Sequence, residues 1–195
     1  MIKLQIIKKE LRLGIETARQ KVLELFYKFP EKEFSLSDVA KEAKVSKANL
    51  GAILSYLKDI NFIKIEKLAK IWRIRANQEN LIFKRTKIIY NLNFLYQTGL
   101  VEFLDQTYNH PKAIILFGSF RKGEDISNSD IDIAIESNEF KEYKTVELKQ
   151  LSDLERVIGK IIQIHEFNSK HIDKNLFSNI ANGIVLLGFL EVNKP

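Results

Sequence analysis

Cysteine is absent from the 195 residues. That excludes disulfides, thiolate nucleophiles and cysteine-ligated zinc. The 3 prolines and 8 glycines are too few for a long flexible linker, and no repeated, Pro-rich or Ser-rich segment occurs. No apolar run reaches the roughly 18 residues a membrane helix needs. The opening Met1-Ile2-Lys3-Leu4-Gln5-Ile6-Ile7-Lys8-Lys9-Glu10 interleaves charge with apolar residues and builds no signal-peptide core. The expectation is a cytoplasmic protein without a membrane segment. What remains is ordinary for a globular chain of one large or two small domains: 45% hydrophobic and 29% charged residues.

Net charge is +6, unevenly placed. Residues 1–80 hold 17 Lys and Arg against 10 Asp and Glu, and residues 112–195 hold 11 against 13. A basic N-terminal part suits a polyanionic partner, and an acidic C-terminal part suits a site that holds cations. A solvated lysine-rich surface gives the same count.

Residues 16–29 space Ala18, Val22, Leu25, Phe26 and Phe29 as one helix face, and Pro30 stops it. Ser37 is placed to cap a second helix and Ser46 a third, whose apolar stripe is Leu50, Ile53, Leu54, Leu57 and Ile60. The period then changes to two. Phe62, Ile63, Ile65 and Leu68 lead into Ile71, Trp72 and Ile74, a hairpin with Lys64, Lys67, Lys70, Arg73 and Arg75 expected on its solvent side. Residues 35–63, from Ser35-Leu36-Ser37-Asp38-Val39-Ala40 to Phe62-Ile63, closely resemble the winged helix-turn-helix family, and the resemblance covers roughly residues 15–77. It implies a third helix entering the DNA major groove, with outward residues Lys47, Asn49, Gly51, Ala52, Ser55 and Tyr56. Gly51 and Ala52 have no side chain able to read a base edge. DNA contact is therefore expected through phosphates at Lys47 and the basic wing, with a docking or dimerisation role as the alternative.

From Asn80 to about Thr98 apolar residues surround a helix on much of its girth, which predicts a buried connector. Gly99 breaks it, a short helix follows, and Asn109-His110-Pro111 ends that.

Lys112-Ala113-Ile114-Ile115-Leu116-Phe117 reads as a strand buried on both faces, running into Gly118-Ser119-Phe120-Arg121-Lys122-Gly123. A glycine at a strand end lets backbone amides approach a phosphate, a helix start adds partial positive charge, and Ser119 offers a hydroxyl. After a polar loop comes Ser129-Asp130-Ile131-Asp132-Ile133-Ala134-Ile135. Strand alternation turns the isoleucines to the core and sets Asp130 and Asp132 on the opposite face. Two neighbouring carboxylates repel unless a cation joins them, and Mg2+ takes carboxylate and triphosphate oxygens. In nucleotidyl transfer such metals align attacking and leaving oxygens.

Gly118-Ser119, Gly123 and Ser129-Asp130-Ile131-Asp132 together resemble the signature of minimal nucleotidyltransferases of the DNA polymerase beta superfamily, over about residues 110–190. Kanamycin nucleotidyltransferases and antitoxin AMP-transferases resemble the chain at this motif. The resemblance implies a small mixed sheet with helices on one face, an NTP held at Gly118 and Ser119, and Mg2+ held by Asp130 and Asp132 as the catalytic carboxylates. It also implies a third carboxylate on a later strand, and the matching position is Gln163 in Lys160-Ile161-Ile162-Gln163-Ile164-His165. An amide accepts no proton at neutral pH. His165, on the same face as Gln163, and Glu166, if the strand end turns it, are the substitutes as base.

The fold class read from all this is α+β: a winged helix-turn-helix at 1–78, a helical connector at 79–110 and a mixed-sheet nucleotidyltransferase fold at 111–195. The function read is transfer of a nucleoside monophosphate from NTP to a hydroxyl, with a partner protein as foremost acceptor. The rival is a nucleotide-responsive DNA-binding regulator whose catalytic domain is weakened at Gln163.

Overall fold

The computed structural model describes residues 17–68 and 71–192, without the side chain of Ile71. They divide between Tyr90 and Asn91 into two units.

In the first unit α1 (Ala18–Lys28) starts where Thr17 accepts a hydrogen bond from the Gln20 amide, and it buries Val22, Leu25, Phe26 and Tyr27. Helix α2 (Leu36–Glu42) starts two residues earlier than a Ser37 cap would place it. Ser35 is the cap, because Asp38 stands three residues on and returns the bond: the Asp38 amide donates to Ser35 Oγ (3.2 Å) and the Ser35 amide to Asp38 Oδ2 (2.9 Å). Helix α3 (Lys47–Asp59) does begin after Ser46, whose side chain makes no capping bond. Leu50, Leu54 and Leu57 are its buried stripe.

Strands β1 (Ile63–Leu68) and β2 (Ile71–Ala76) pair antiparallel, and a single bridge ties Phe34 to Ile74. The core is aromatic. Phe26, Phe34, Tyr27, Phe62 and Phe83 meet edge-on or tilted at centroid distances of 5.0–5.9 Å. Each fully buried ring contributes on the order of 2 kcal/mol by area, so these side chains dominate the stability of a unit this small.

Helix α4 (Leu81–Gln97) is capped by Asn80, whose Oδ1 accepts from the Ile82 and Phe83 amides at 2.7 and 3.1 Å. It passes from the first unit into the second. The expected buried connector is buried in part. Phe83, Lys87, Asn91 and Leu95 are buried and Tyr90, Leu92 and Phe94 pack partly against the cores, while Leu81, Ile82 and Ile89 are exposed. Residues four apart stack on one side of a helix, so the fully buried residues form one stripe.

The second unit opens with α5 (Leu100–Thr107), after Gly99 in a left-handed conformation. Its sheet has β3 (Ala113–Phe117), β4 (Ile131–Glu136), β5 (Lys144–Glu147), β6 (Ile162–Phe167) and β7 (Ile184–Gly188), in the order β5-β6-β4-β3-β7. Only β4 and β6 run parallel. One face, with Ile114, Leu116, Ile131, Ile133, Ile135, Ile162 and Ile164, packs with α5 and with α7 (Ser152–Ile158). The other, with Ala113, Ile115, Phe117, Ala134 and Phe167, packs with α8 (Lys174–Ala181). The sheet is mixed as expected, but helices lie on both faces rather than one. A strand such as β3, fully buried, needs cover on both sides. No described helix is long and apolar enough to cross a membrane.

Candidate active site

Strand β3 runs directly into α6 (Gly118–Lys122), a single turn that opens with Gly118 at φ +70° and is closed by Gly123 at φ +67°. Two constraints make residue 118 a glycine. L side chains rarely adopt that backbone. A Cβ there would also lie 3.0 Å from Asp132 Cγ and closer still to its Oδ2. Phe117 faces Asp132 across the β3–β4 ladder, so the turn and the carboxylate share one end of the sheet.

Asp130 immediately precedes β4, and Asp132 is its second residue. Ile131 and Ile133 enter the core between and beyond them. Both aspartates are part-exposed, and among the described residues neither pairs with a lysine or arginine.

Strand β6 sets two side chains against them. Gln163, in register with Asp132, donates from Nε2 to Asp130 Oδ2 at 2.7 Å. His165 Nε2 lies 3.2 Å from Asp132 Oδ1. Its Nδ1 lies 2.7 Å from the Tyr143 hydroxyl, which is also 3.1 Å from Thr145 Oγ1. Phe117 meets the ring edge-on at 4.8 Å. A neutral imidazole satisfies both contacts in one way: Tyr143 donates to Nδ1 and the Nε2 proton is given to Asp132. The structure thus brings His165 to the aspartates, with one ring nitrogen at Asp132 and the other at Tyr143.

Glu166 does not turn toward this face. It points to the opposite side of β6, where Tyr108 donates to Oε1 at 2.9 Å and Lys144 Nζ lies 3.2 Å from Oε2. Burial, and then the Glu166 carboxylate, push the Tyr108 hydroxyl far above its ordinary pKa. Strand alternation persists through Phe167 and overrides the expectation of a frayed end.

The basic residues of the first unit are divided. Lys47 is exposed at the start of α3. Lys64, Arg73 and Arg75 share one face of the hairpin with Glu66. Arg75 lies 3.4 Å from Glu66 and Arg73 3.6 Å from Glu33. Lys67 is not with them. Its odd spacing from Lys64 puts it on the other face, with Nζ 4.1 Å from the centroid of Trp72. Lys70 lies outside the described residues.

Sequence reasoning missed a buried polar strap beside the site. Asn91 Nδ2 donates to Phe120 O (2.8 Å) and to Asp125 Oδ1 (3.0 Å). Asp125 Oδ2 lies 3.3 Å from Lys160 Nζ. Lys160 donates to the carbonyls of Ile126 and, at 3.3 Å, Ser129. A polar Asn within the apolar stripe of α4 is the one signal the sequence offers. Tyr143 was missed as well, because it lies just before a four-residue edge strand too short to show a period in the sequence.

Among the described residues no group of three or more His, Cys, Asp or Glu side chains is gathered to hold a metal ion. Asp130 and Asp132 are the two carboxylates at this sheet end that could meet a cation. That suits Mg2+, which keeps several waters and takes one or two carboxylates plus substrate phosphates.

No curated protein matches the chain. Residues 98–185, which hold the Gly118 turn, both aspartates, Tyr143, Gln163 and His165, match the family model of the nucleotidyltransferase domain.

Proposed function

We propose that the second unit transfers a nucleoside monophosphate from an NTP to a hydroxyl, with pyrophosphate as leaving group and a side chain of a partner protein as the acceptor. The observation that carries this is the close approach of Gly118 to Asp132, which brings a glycine turn and two carboxylates without a lysine or arginine partner together at one end of the sheet. The family match supports nucleotidyl transfer in general. The amides of Gly118 and Ser119 and the Ser119 hydroxyl face a triphosphate in this reading. Asp130 and Asp132 would hold Mg2+, which when bound neutralises phosphate charge and aligns the attacking and leaving oxygens. Gln163 and His165 each fix one aspartate by a hydrogen bond. Gln163 accepts no proton, so His165 is the side chain at the aspartates left to act as base, and a transfer without it loses general-base assistance, typically worth about 10²–10⁴-fold.

The test is incubation of the full chain with each labelled NTP, Mg2+ and host lysate. Covalent label on a macromolecule in the wild type, and none with Asp130→Asn/Asp132→Asn, is the expected result. Transfer that survives the double substitution would refute the reading.

A second reading is favoured by one contact. The Gln163 amide bonds Asp130 where a third carboxylate would complete a metal site. On this reading the domain binds NTP and turns over little, and residues 17–77 form a winged helix whose DNA affinity responds to the nucleotide. Its phosphate contacts would be Lys47, Lys64, Arg73 and Arg75. No covalent label, with DNA affinity that changes on NTP addition, would favour it.

A further inference from the structure

The stretch from Gly123 to Ser129 separates the Gly118–Ser119 turn from Asp130 and contains no helix or strand. Local bonds shape it in part: the Glu124 amide donates to Ser119 O, and the Ile126 amide to Ser129 Oγ. These bonds join near neighbours, and the β3–β4 ladder, with Phe117 opposite Asp132, brings the strand ends together. The strap of Asn91, Asp125 and Lys160 adds a side-chain tie between the two ends of the loop. At one end it holds Phe120 O, in the turn after Ser119. At the other it holds Ser129 O, the carbonyl next to Asp130. Between them Asp125 is held from both sides, by Asn91 and Lys160. The Lys160 ammonium also lies 6.0 Å from the Phe120 ring centroid, so the strap returns to the turn it starts from.

Asn91 and Asp125 are each 1% exposed. The Lys160 side chain is 10% exposed. Burying an ion pair is costly, and replacing such a pair with apolar side chains is often neutral or stabilising. Stability is therefore a poor reason for this pair to exist. Apolar side chains could not address the carbonyls of Phe120, Ile126 and Ser129. We propose that Asn91, Asp125 and Lys160 are positioning residues that set the distance between the Gly118–Ser119 turn and Asp130, and so govern the grip on a metal-bound NTP. This rests on the nucleotidyl-transfer reading of the site. The three side chains do not touch the substrate. They act through the loop, whose two ends hold the phosphates and the metal.

The consequence is specific to metal. Phosphate contacts at Gly118 and Ser119 need only the turn, whereas a metal that Asp130 would hold together with the nucleotide would need the correct span. The test measures affinity for each common NTP by calorimetry on the full chain, with Mg2+ and with EDTA. The wild type should bind tighter with Mg2+. Asp125→Asn/Lys160→Met removes both charges together, and Asn91→Ala removes two hydrogen bonds. Each should reduce the ratio of the two affinities by about tenfold, with EDTA affinity little changed. A structural role alone would lower the melting temperature and both affinities together, leaving the ratio intact, and that would overturn the proposal. If the double variant does not fold, Asn91→Ala decides on the same readout. A wild type without a Mg2+ effect overturns the underlying reading and the proposal with it. That failure is distinct because it is seen before any variant is made.

Discussion

The two units handle polarity in opposite ways. Residues 17–90 bury aromatic rings and leave charge outside, with Lys87 the one buried polar or charged side chain among them. Residues 91–192 bury Asn91, Thr98, Asp125, Glu136, His165, Glu166 and Asn168. Burying a polar group costs free energy unless it is hydrogen-bonded. Several of these side chains converge on one sheet end, which marks the second unit as the one with chemistry to hold in place. The first unit spends its sequence on a core and a charged surface, as a module that binds or docks would.

The largest effect that sharpens this contrast is expected at Gly118. Gly118→Ala would force a left-handed backbone on a residue with a side chain and drive its Cβ into Asp132. Backbone strain of this kind costs roughly 1–3 kcal/mol. Misplacing the carboxylate by about 1 Å costs on the order of 10²-fold in rate. Loss of label transfer with a modest drop in melting temperature is the expected outcome. Unchanged transfer would detach the turn from the site.

Gln163→Asp should act next most strongly and with mixed sign. It replaces the amide donor 2.7 Å from Asp130 Oδ2 with a third carboxylate. Without metal, repulsion should lower the melting temperature. With Mg2+, stability should recover and transfer should rise by up to about 10²-fold, the lower end of general-base assistance. A variant destabilised equally with and without Mg2+ would argue against a metal between these strands.

The first unit offers a smaller test. If it binds DNA, it should do so through phosphates, with strong salt dependence and weak sequence choice. Lys64→Ala/Arg73→Ala/Arg75→Ala should flatten the salt slope. Lys67→Ala should matter less, because Lys67 lies on the other face of the hairpin. The ion pairs to Glu66 and Glu33 limit the size of the effect. Tight binding to one operator, insensitive to the triple variant, would break the contrast between a general surface and a specific site.

The smallest effect concerns the α2 cap. Ser35→Ala should cost about 1 kcal/mol. The Ser35 hydroxyl, and then its backbone amide, hold the Asp38 carboxyl below the ordinary value of 3.8. A lowered folded-state pKa contributes stability above the unfolded value that is lost as pH falls through the folded one. The melting-temperature gap between wild type and Asp38→Asn should therefore be full at neutral pH and close below pH 3.8.

Much of the site was legible because it depends on strand alternation over short distances. Gly118 follows an apolar run, and Asp130 and Asp132 alternate with isoleucines, so their common face could be read residue by residue. Gln163 and His165 were assigned to one face by the same rule. Their partners were not legible, because Tyr143, Asn91 and Asp125 reach the site through pairings set by tertiary packing. Two local rules were also applied at the wrong residue. Ser37 is placed to cap α2, but Ser35 and Asp38 have the reciprocal spacing and win. Lys67 was placed with the other basic residues although an odd separation from Lys64 reverses its direction.

The contact between Lys67 and Trp72 has an optical consequence. Trp72 is the only tryptophan in the chain, so fluorescence excited at the red edge of the aromatic band comes from the hairpin alone. A cation over an indole face is attracted to its electrons, and a polyanion that draws Lys67 away from the ring would change the ring's emission. The native chain thus carries its own optical signal for this face of the hairpin, read without any added dye.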